Sequence, residues 1–283
     1  MLNQYLVGKA SDYLPNYKST LSSETATTLT QDANDPANYQ QPLCHQVGLM
    51  GKDYFHWVHN TSPVYFKEPV PLFQSGLLEP LSLTPWYVVP LIWIPFIIYN
   101  LYISSQIHNS QLSIMFLGYV TGFLAWFGIE ILFHKFLFHW DSLGKMGYYL
   151  TNIAHFLLHG FHHKVPMDKD RLVVPPTLMC VLSAPVYLLV KFILPSYSNL
   201  LIAGAFTGYL FYDMHHYWLH HQTNMKSSLL NPISYYVNSD YWKTLKSHHF
   251  IHHFEEGGDY VNYGISNRII DMMMGTLREE YAK

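Results

Sequence analysis

LSIMFLGYVTGFLAWFGIEILFHKFLFH, residues 112–139, is apolar from 112 to 133 apart from Glu130 and then meets two histidines, His134 and His139. A membrane-crossing helix needs about 20 mostly apolar residues, and 112–133 supplies that length. Three more stretches qualify: WYVVPLIWIPFIIYNLYIS at 86–104, VVPPTLMCVLSAPVYLLVKFIL at 173–194 and NLLIAGAFTGYLFYDMHHYWL at 199–219. Pro90, Pro95 and Pro185 fall inside them, and membrane helices tolerate proline. The sequence therefore predicts an all-α membrane protein with four transmembrane helices.

Composition agrees. Charged residues make up 12% of the chain and aromatics 17%, against an ordinary charged share of about 25%. A net charge of −3 points to no nucleic-acid partner. The two cysteines, Cys44 and Cys180, stand far apart, which argues against a disulfide framework or a thiolate zinc site. Outside the spans, residues 1–45 are rich in Ser, Thr, Asn and Gln and read as a flexible polar segment. Residues 46–85, with five prolines from Pro63 to Pro85, read as an approach segment at the membrane surface. Residues 86–283 form the span-bearing domain.

Loop charge orients the spans. The short loops at 105–111 and 195–198 carry no charge, whereas 134–172 carries Lys135, Lys145, Lys164, Lys169 and Arg171. The C-terminal segment carries Lys226, Lys243, Lys246, Arg268, Arg278 and Lys283. The positive-inside rule turns these longer segments, and both termini, toward the cytosol.

The histidines then fall on one side. Eighteen occur in the chain, and fourteen of them lie between 134 and 253. The pattern H-x-x-H-H occurs twice, as HGFHH at 159–163 and HFIHH at 249–253; chance would supply about 0.07 copies. Neutral imidazole is the commonest transition-metal ligand. Helix positions i, i+3 and i+4 share a face, so each triplet can present its rings together, as can His216 and His220. His134 and His139 are five apart, about 140° around an ideal helix, and can grip one centre only where the helix bends or ends. Ten ligands suit two ions of about five each, and an all-nitrogen set suits iron, zinc, copper or nickel. His45, His56, His59 and His108 read as ordinary. Glu130 and Asp213, four and three residues ahead of His134 and His216, read as carboxylates that accept a hydrogen bond from a ligand imidazole. His155 and His215 read as further supporting residues beside the ligand positions.

The histidine boxes and the text around them resemble the membrane fatty acid 2-hydroxylases, or sphingolipid α-hydroxylases, of the fatty acid hydroxylase and sterol desaturase superfamily. The boxes are HKFLFH (134–139), HGFHH (159–163), HHYWLH (215–220) and HFIHH (249–253). The narrower likeness lies in NIAHFLLHGFHHKVPMDKDRLVVPP (152–176), YDMHHYWLHH (212–221), GKDYFHWVHNTSP (51–63) and PLIWIP (90–95). It covers roughly residues 48–280.

The resemblance implies a cytosolic helical cap holding a histidine-rich dimetal site in the endoplasmic reticulum membrane. Its ligands would be His134, His139, His159, His162, His163, His216, His220, His249, His252 and His253. Iron is the expected catalytic metal, and the family also admits zinc as the bound ion. The implied activity is O2-dependent hydroxylation at carbon 2 of a long or very long fatty acyl chain, free or within a ceramide. Electrons would come from a separate cytochrome b5 and its NAD(P)H-dependent reductase, since no His-Pro-Gly-Gly haem motif occurs in the chain. Two departures stand out. His215 occupies a position where the family has Thr, so it could compete as a ligand. The stretch EEGGDYVNYGIS (255–266) is longer than the family's link to its Gly-Ile turn. Three alternatives remain open: a sterol oxidase or desaturase of the same superfamily, a metal transporter, and a non-catalytic zinc-binding membrane protein.

Overall fold

The computed structural model describes residues 35–66, 68–222 and 232–279, and these are helical with no strand. In chain order the helices are α1 (Leu43–Leu49), α2 (Asp53–Asn60), α3 (Leu78–Ser82), α4 (Val88–Ile107), α5 (Leu112–Ile131), α6 (Asp141–Lys145), α7 (Tyr149–His155), α8 (Phe161–Lys164), α9 (Pro176–Ile193), α10 (Ser198–His221), α11 (Pro232–Asn238), α12 (Asp240–Phe254) and α13 (Ile269–Met274). Two π-helical segments, Leu132–Phe138 and Phe156–Gly160, prolong α5 and α7.

Among the described residues, three helices are long and apolar enough to cross a membrane: α4, α5 with its continuation to Lys145, and α9. Their outward side chains, among them Leu91, Ile98, Leu117, Leu124, Leu188 and Phe192, are exposed. So large an apolar belt requires lipid. The fourth expected span differs. Helix α10 has the length, 24 residues, but its C-terminal half carries Asp213, His215, His216, His220 and His221, which lower its apolar character. It is also the most enclosed of the long helices, packing along α5 and α4, so polar side chains on it are shielded from lipid by protein.

Glycines set the approach of α5 and α10. GYVTG (118–122) and GAFTG (204–208) place small residues four apart on each helix, which lets membrane helices come close. A Cβ on Gly122 would lie 2.1 Å from the Leu201 carbonyl oxygen, and one on Gly204 would lie 2.0 Å from that of Tyr119. Aromatic side chains fill the rest of this core: Trp93, Trp126, Phe206, Tyr209 and Tyr212.

A second core gathers Tyr39, Leu43, Val47, Tyr54, Trp57 and Val58 against Phe156, Phe161 and Val165. This corrects the expectation of a flexible segment through residue 45. Residues 1–34 lie outside the described residues, but Ala37, Tyr39, Leu43 and Cys44 are buried. The few apolar side chains after the polar run are enough to pin 35–45 down. The chain from α1 to α3 is thereby laid across the elements that carry His155 to His163.

Candidate metal centre

Ten imidazoles converge, and they do so by crossing between elements. One group brings together His162 from α8, His216 and His220 from α10, and His249 and His253 from α12, with one nitrogen of each within 4.8 Å of the others. A second group, equally compact, holds His134 and His139 from the π-helical segment after α5, His159 and His252. His163 joins the second group, its Nε2 lying 3.2 Å from Nε2 of His139. Each H-x-x-H-H triplet is therefore split. The i, i+4 pair (His159 with His163, or His249 with His253) serves one group, and the middle histidine (His162 or His252) serves the other. The expectation that each triplet faces a single side is corrected accordingly. The two groups adjoin, with the His163 and His253 rings 4.5 Å apart between centroids.

His134 and His139 meet because the helix is not α there. The His139 N–H donates to the His134 carbonyl at 3.1 Å, an i→i+5 bond that widens the turn. Residues five apart then stack where an α-helix would splay them. Such π segments are rare and concentrate at functional sites.

The donor set fits metal ions. All ten rings are buried, and His162 Nε2, His216 Nε2 and both nitrogens of His253 have no hydrogen-bond partner. Elsewhere nitrogen faces nitrogen: His134 Nε2 to His159 Nε2 at 3.1 Å, His139 Nε2 to His252 Nε2 at 3.1 Å, and His220 Nε2 to His249 Nε2 at 2.7 Å. Two neutral imidazoles cannot hydrogen-bond through two lone pairs, but both can ligate one ion. Nitrogens at about 2.0–2.1 Å from a shared ion are at most about 4.2 Å apart, so small side-chain movements close each group. Desolvation on burial, reinforced by neighbouring imidazoles, holds His159, His162, His249 and His253 well below the usual histidine range and His252 down at about 3. These rings are neutral at pH 7, the form that ligates.

The second group is oriented from outside by the segment 259–263. His134 Nδ1 donates to the Tyr263 carbonyl, His252 Nδ1 to the Val261 carbonyl at 2.7 Å, and His163 Nδ1 to Asp259 Oδ1 at 2.9 Å. With Nδ1 committed outward, Nε2 is left to face an ion. The other oxygen of Asp259 holds His59 Nδ1 at 2.7 Å. Burial alone would raise the Asp259 carboxyl, but His163 and His59 more than offset it and hold the group below the usual carboxylate range. His59, read from sequence as ordinary, is thus part of the site's support, and Asp259 was missed. The one signal for Asp259 was its position in the stretch that is long for the family. His59 had none, because its partner is 200 residues away in the chain.

The other supporting residues behave differently from expectation. Glu130 accepts no hydrogen bond from an imidazole; its Oε1 takes the N–H groups of Ile265 and Ser266, each at 2.9 Å. Asp213 accepts from Val174 N and the Tyr209 hydroxyl, each at 3.2 Å. Both carboxylates therefore pin backbone around the centre: the C-terminal turn in one case, the 165–175 segment in the other. His215 points away from both groups, donating to the Phe211 carbonyl and sharing a 2.7 Å bond with the Tyr236 hydroxyl, so it does not compete as a ligand. His155 shares a 2.8 Å bond with the Tyr54 hydroxyl and packs edge-on against His59.

Between His159, His162 and His216 and the apolar side chains of Phe138, Leu158 and Leu178 lies a narrow cavity of about 60 Å³. It touches both histidine groups. Its roof is residues 171–175, held on one side by Asp213 and on the other by Arg171, which pairs with Glu79 and reaches Ser82 Oγ at 3.3 Å.

Comparison with known proteins agrees with this geometry. The fatty acid hydroxylase family model matches residues 119–276. The chain is 36% identical to the fatty acid 2-hydroxylase of Rattus norvegicus over 266 residues, which cover 88% of this chain and 66% of that one. It is 37% identical to the dihydroceramide fatty acyl 2-hydroxylase FAH1 of Arabidopsis thaliana over 241 residues, 84% of this chain and 92% of that one. A solved structure of full-length scs7p, in which only the hydroxylase domain is visible, superposes with a TM-score of 0.72 at 35% identity, covering 87% of this chain and 88% of that one. With the family model spanning more than half its length and these relatives matching it across most of theirs, the chain belongs to the fatty acid hydroxylase family.

Proposed function

We propose that this chain hydroxylates carbon 2 of a long fatty acyl chain, free or carried by a ceramide. The reaction consumes O2, two electrons and two protons, inserts one oxygen into the C–H bond and releases the other as water. The electrons come from cytochrome b5 and its NAD(P)H-dependent reductase. His162, His216, His220, His249 and His253 would hold one ion, and His134, His139, His159, His163 and His252 the other. Iron bound at these positions would supply the redox chemistry that O2 activation demands; zinc has none.

The observation that carries this reading is the cavity that touches both histidine groups and is lined besides mainly by apolar and aromatic side chains, with Arg171 at its edge. An acyl tail entering between α9 and the π-helical segments would bring a carbon near its polar end to the imidazoles, rather than a carbon far along the chain. Holding the reacting carbon about 3–3.5 Å from the oxidising centre supplies several kcal/mol of the barrier. The roof formed by Leu172, Val173 and Val174 excludes water from the reacting atoms. Helix α10 serves as a fourth span, about 36 Å long at 1.5 Å per residue, sheltered by α4 and α5. Both termini and the histidine cap face the cytosolic side of the endoplasmic reticulum membrane, the side on which the lysines and arginines concentrate.

Expression with cytochrome b5 and its reductase, followed by mass spectrometry of ceramides, tests the reading. Wild type and His45→Ala should yield 2-hydroxylated acyl chains; His159→Ala and His253→Ala should yield none. Unchanged 2-hydroxy acids with altered sterols would refute it.

A further inference from the structure

We propose that helix α13, Ile269–Met274, is a membrane-interface anchor that lies in the lipid leaflet at the histidine end of the spans. Depth is the first argument. Ile265 N and Ser266 N each donate to Glu130 Oε1 at 2.9 Å, and Glu130 stands in the last turn of α5, one of the three spanning helices. The exposed apolar surface of that helix continues beyond Glu130 through Leu132 and Phe136, so lipid reaches at least as far as the turn that docks there. Helix α13 starts three residues after Ser266, within about 11 Å of extended chain.

The second argument is its two faces. Asp271, the only charged side chain in the helix, is buried and turned inward. Its oxygens accept from Tyr263 N at 2.9 Å, Gly264 N at 2.7 Å and the Thr276 hydroxyl at 2.7 Å. The outward face is Ile269, Met272 and Met273, exposed by 61%, 60% and 81%. Arg268, at the foot of the helix, leans to Glu279 at 3.6 Å and is free to reach the headgroups. An outward apolar face with the charge turned away suits an interfacial helix, which buries that face roughly 5–10 Å into the boundary of headgroups and acyl chains. The turn leading into α13 docks at Glu130, beside the exposed apolar Leu132 and Phe136 of the belt, which favours lipid over a second copy as the occupant of this face. Through Asp271 the bilayer steadies residues 263–264, next to the carbonyl that orients His134. This inference is independent of the proposed reaction.

The test uses the full chain in phosphatidylcholine bilayers, with a nitroxide on Met273→Cys or, in a second protein, on Lys243→Cys, both in a Cys180→Ser background. Collision with a water-soluble nickel chelate and with O2 is measured. The Met273 label should meet the chelate at least about three-fold less than the Lys243 label and meet O2 more, as expected for a site roughly 5–10 Å deep; Met272→Cys should repeat the result. Chelate access equal to that at Lys243 would overturn the proposal. So would a label shielded from both reagents whose spectrum is broadened by a second label and sharpens on dilution with unlabelled chain.

Discussion

Five imidazoles can share an ion only if each offers it a lone pair, and burial keeps these rings neutral at a cost that depends on pH. His252 and His155 are each pushed from about 6.5 down to about 3 by desolvation. Below about pH 6.5 the unfolded chain takes up protons that the folded chain refuses. The metal-free protein therefore loses stability as pH falls from about 6.5 toward 3, by up to about 1.4 kcal/mol per pH unit for each such group, while above 6.5 these groups leave it unchanged. Thermal melts of the metal-free protein at pH 7.5, 6.5 and 5 should show a midpoint flat across the first two and falling at the third. Asp259 makes a second prediction at this scale. Asp259→Asn keeps the shape but weakens the hold on His163, and loss of such an outer partner typically weakens metal affinity about 10–100-fold. Faster metal release into a chelator should follow, with release unchanged in His45→Ala. All ten histidines were legible in the sequence from spacing and family likeness. Asp259 and His59 were not, because a carboxylate that reaches two rings from distant segments leaves no periodic trace.

At the scale of elements, the four apolar stretches were legible to within a few residues. The π-helical segments were not. Composition does not distinguish i→i+4 from i→i+5 bonding; only the unusual spacing of His134 and His139 hinted that the helix had to change. Nor did the sequence show that α9 lies bare to lipid on most sides whereas α10 is wrapped in protein. The α5–α10 contact makes the sharper prediction. Gly122→Leu would drive a side chain into the Leu201 backbone, which cannot yield as a side chain tip can. Overpacking of this kind typically costs about 1–3 kcal/mol, so the variant should melt earlier in detergent and lose activity, whereas Gly128→Leu, which meets open space, should do neither.

For the molecule as a whole, the apolar bundle holds the ends of α5 and α10 at one depth, while the N-terminal core and the 259–266 segment close over the histidines those ends carry. Helix α12 spans the gap between the two groups, contributing two rings to one and one to the other. No histidine serves both groups, which predicts that the groups can be emptied separately even though α12 contributes to each. Elemental analysis of purified protein measures this most directly. Wild type should carry two ions per chain, His253→Ala and His159→Ala one each, and the double variant none; a wild-type chain with one ion or none, or single variants that keep both, would contradict it.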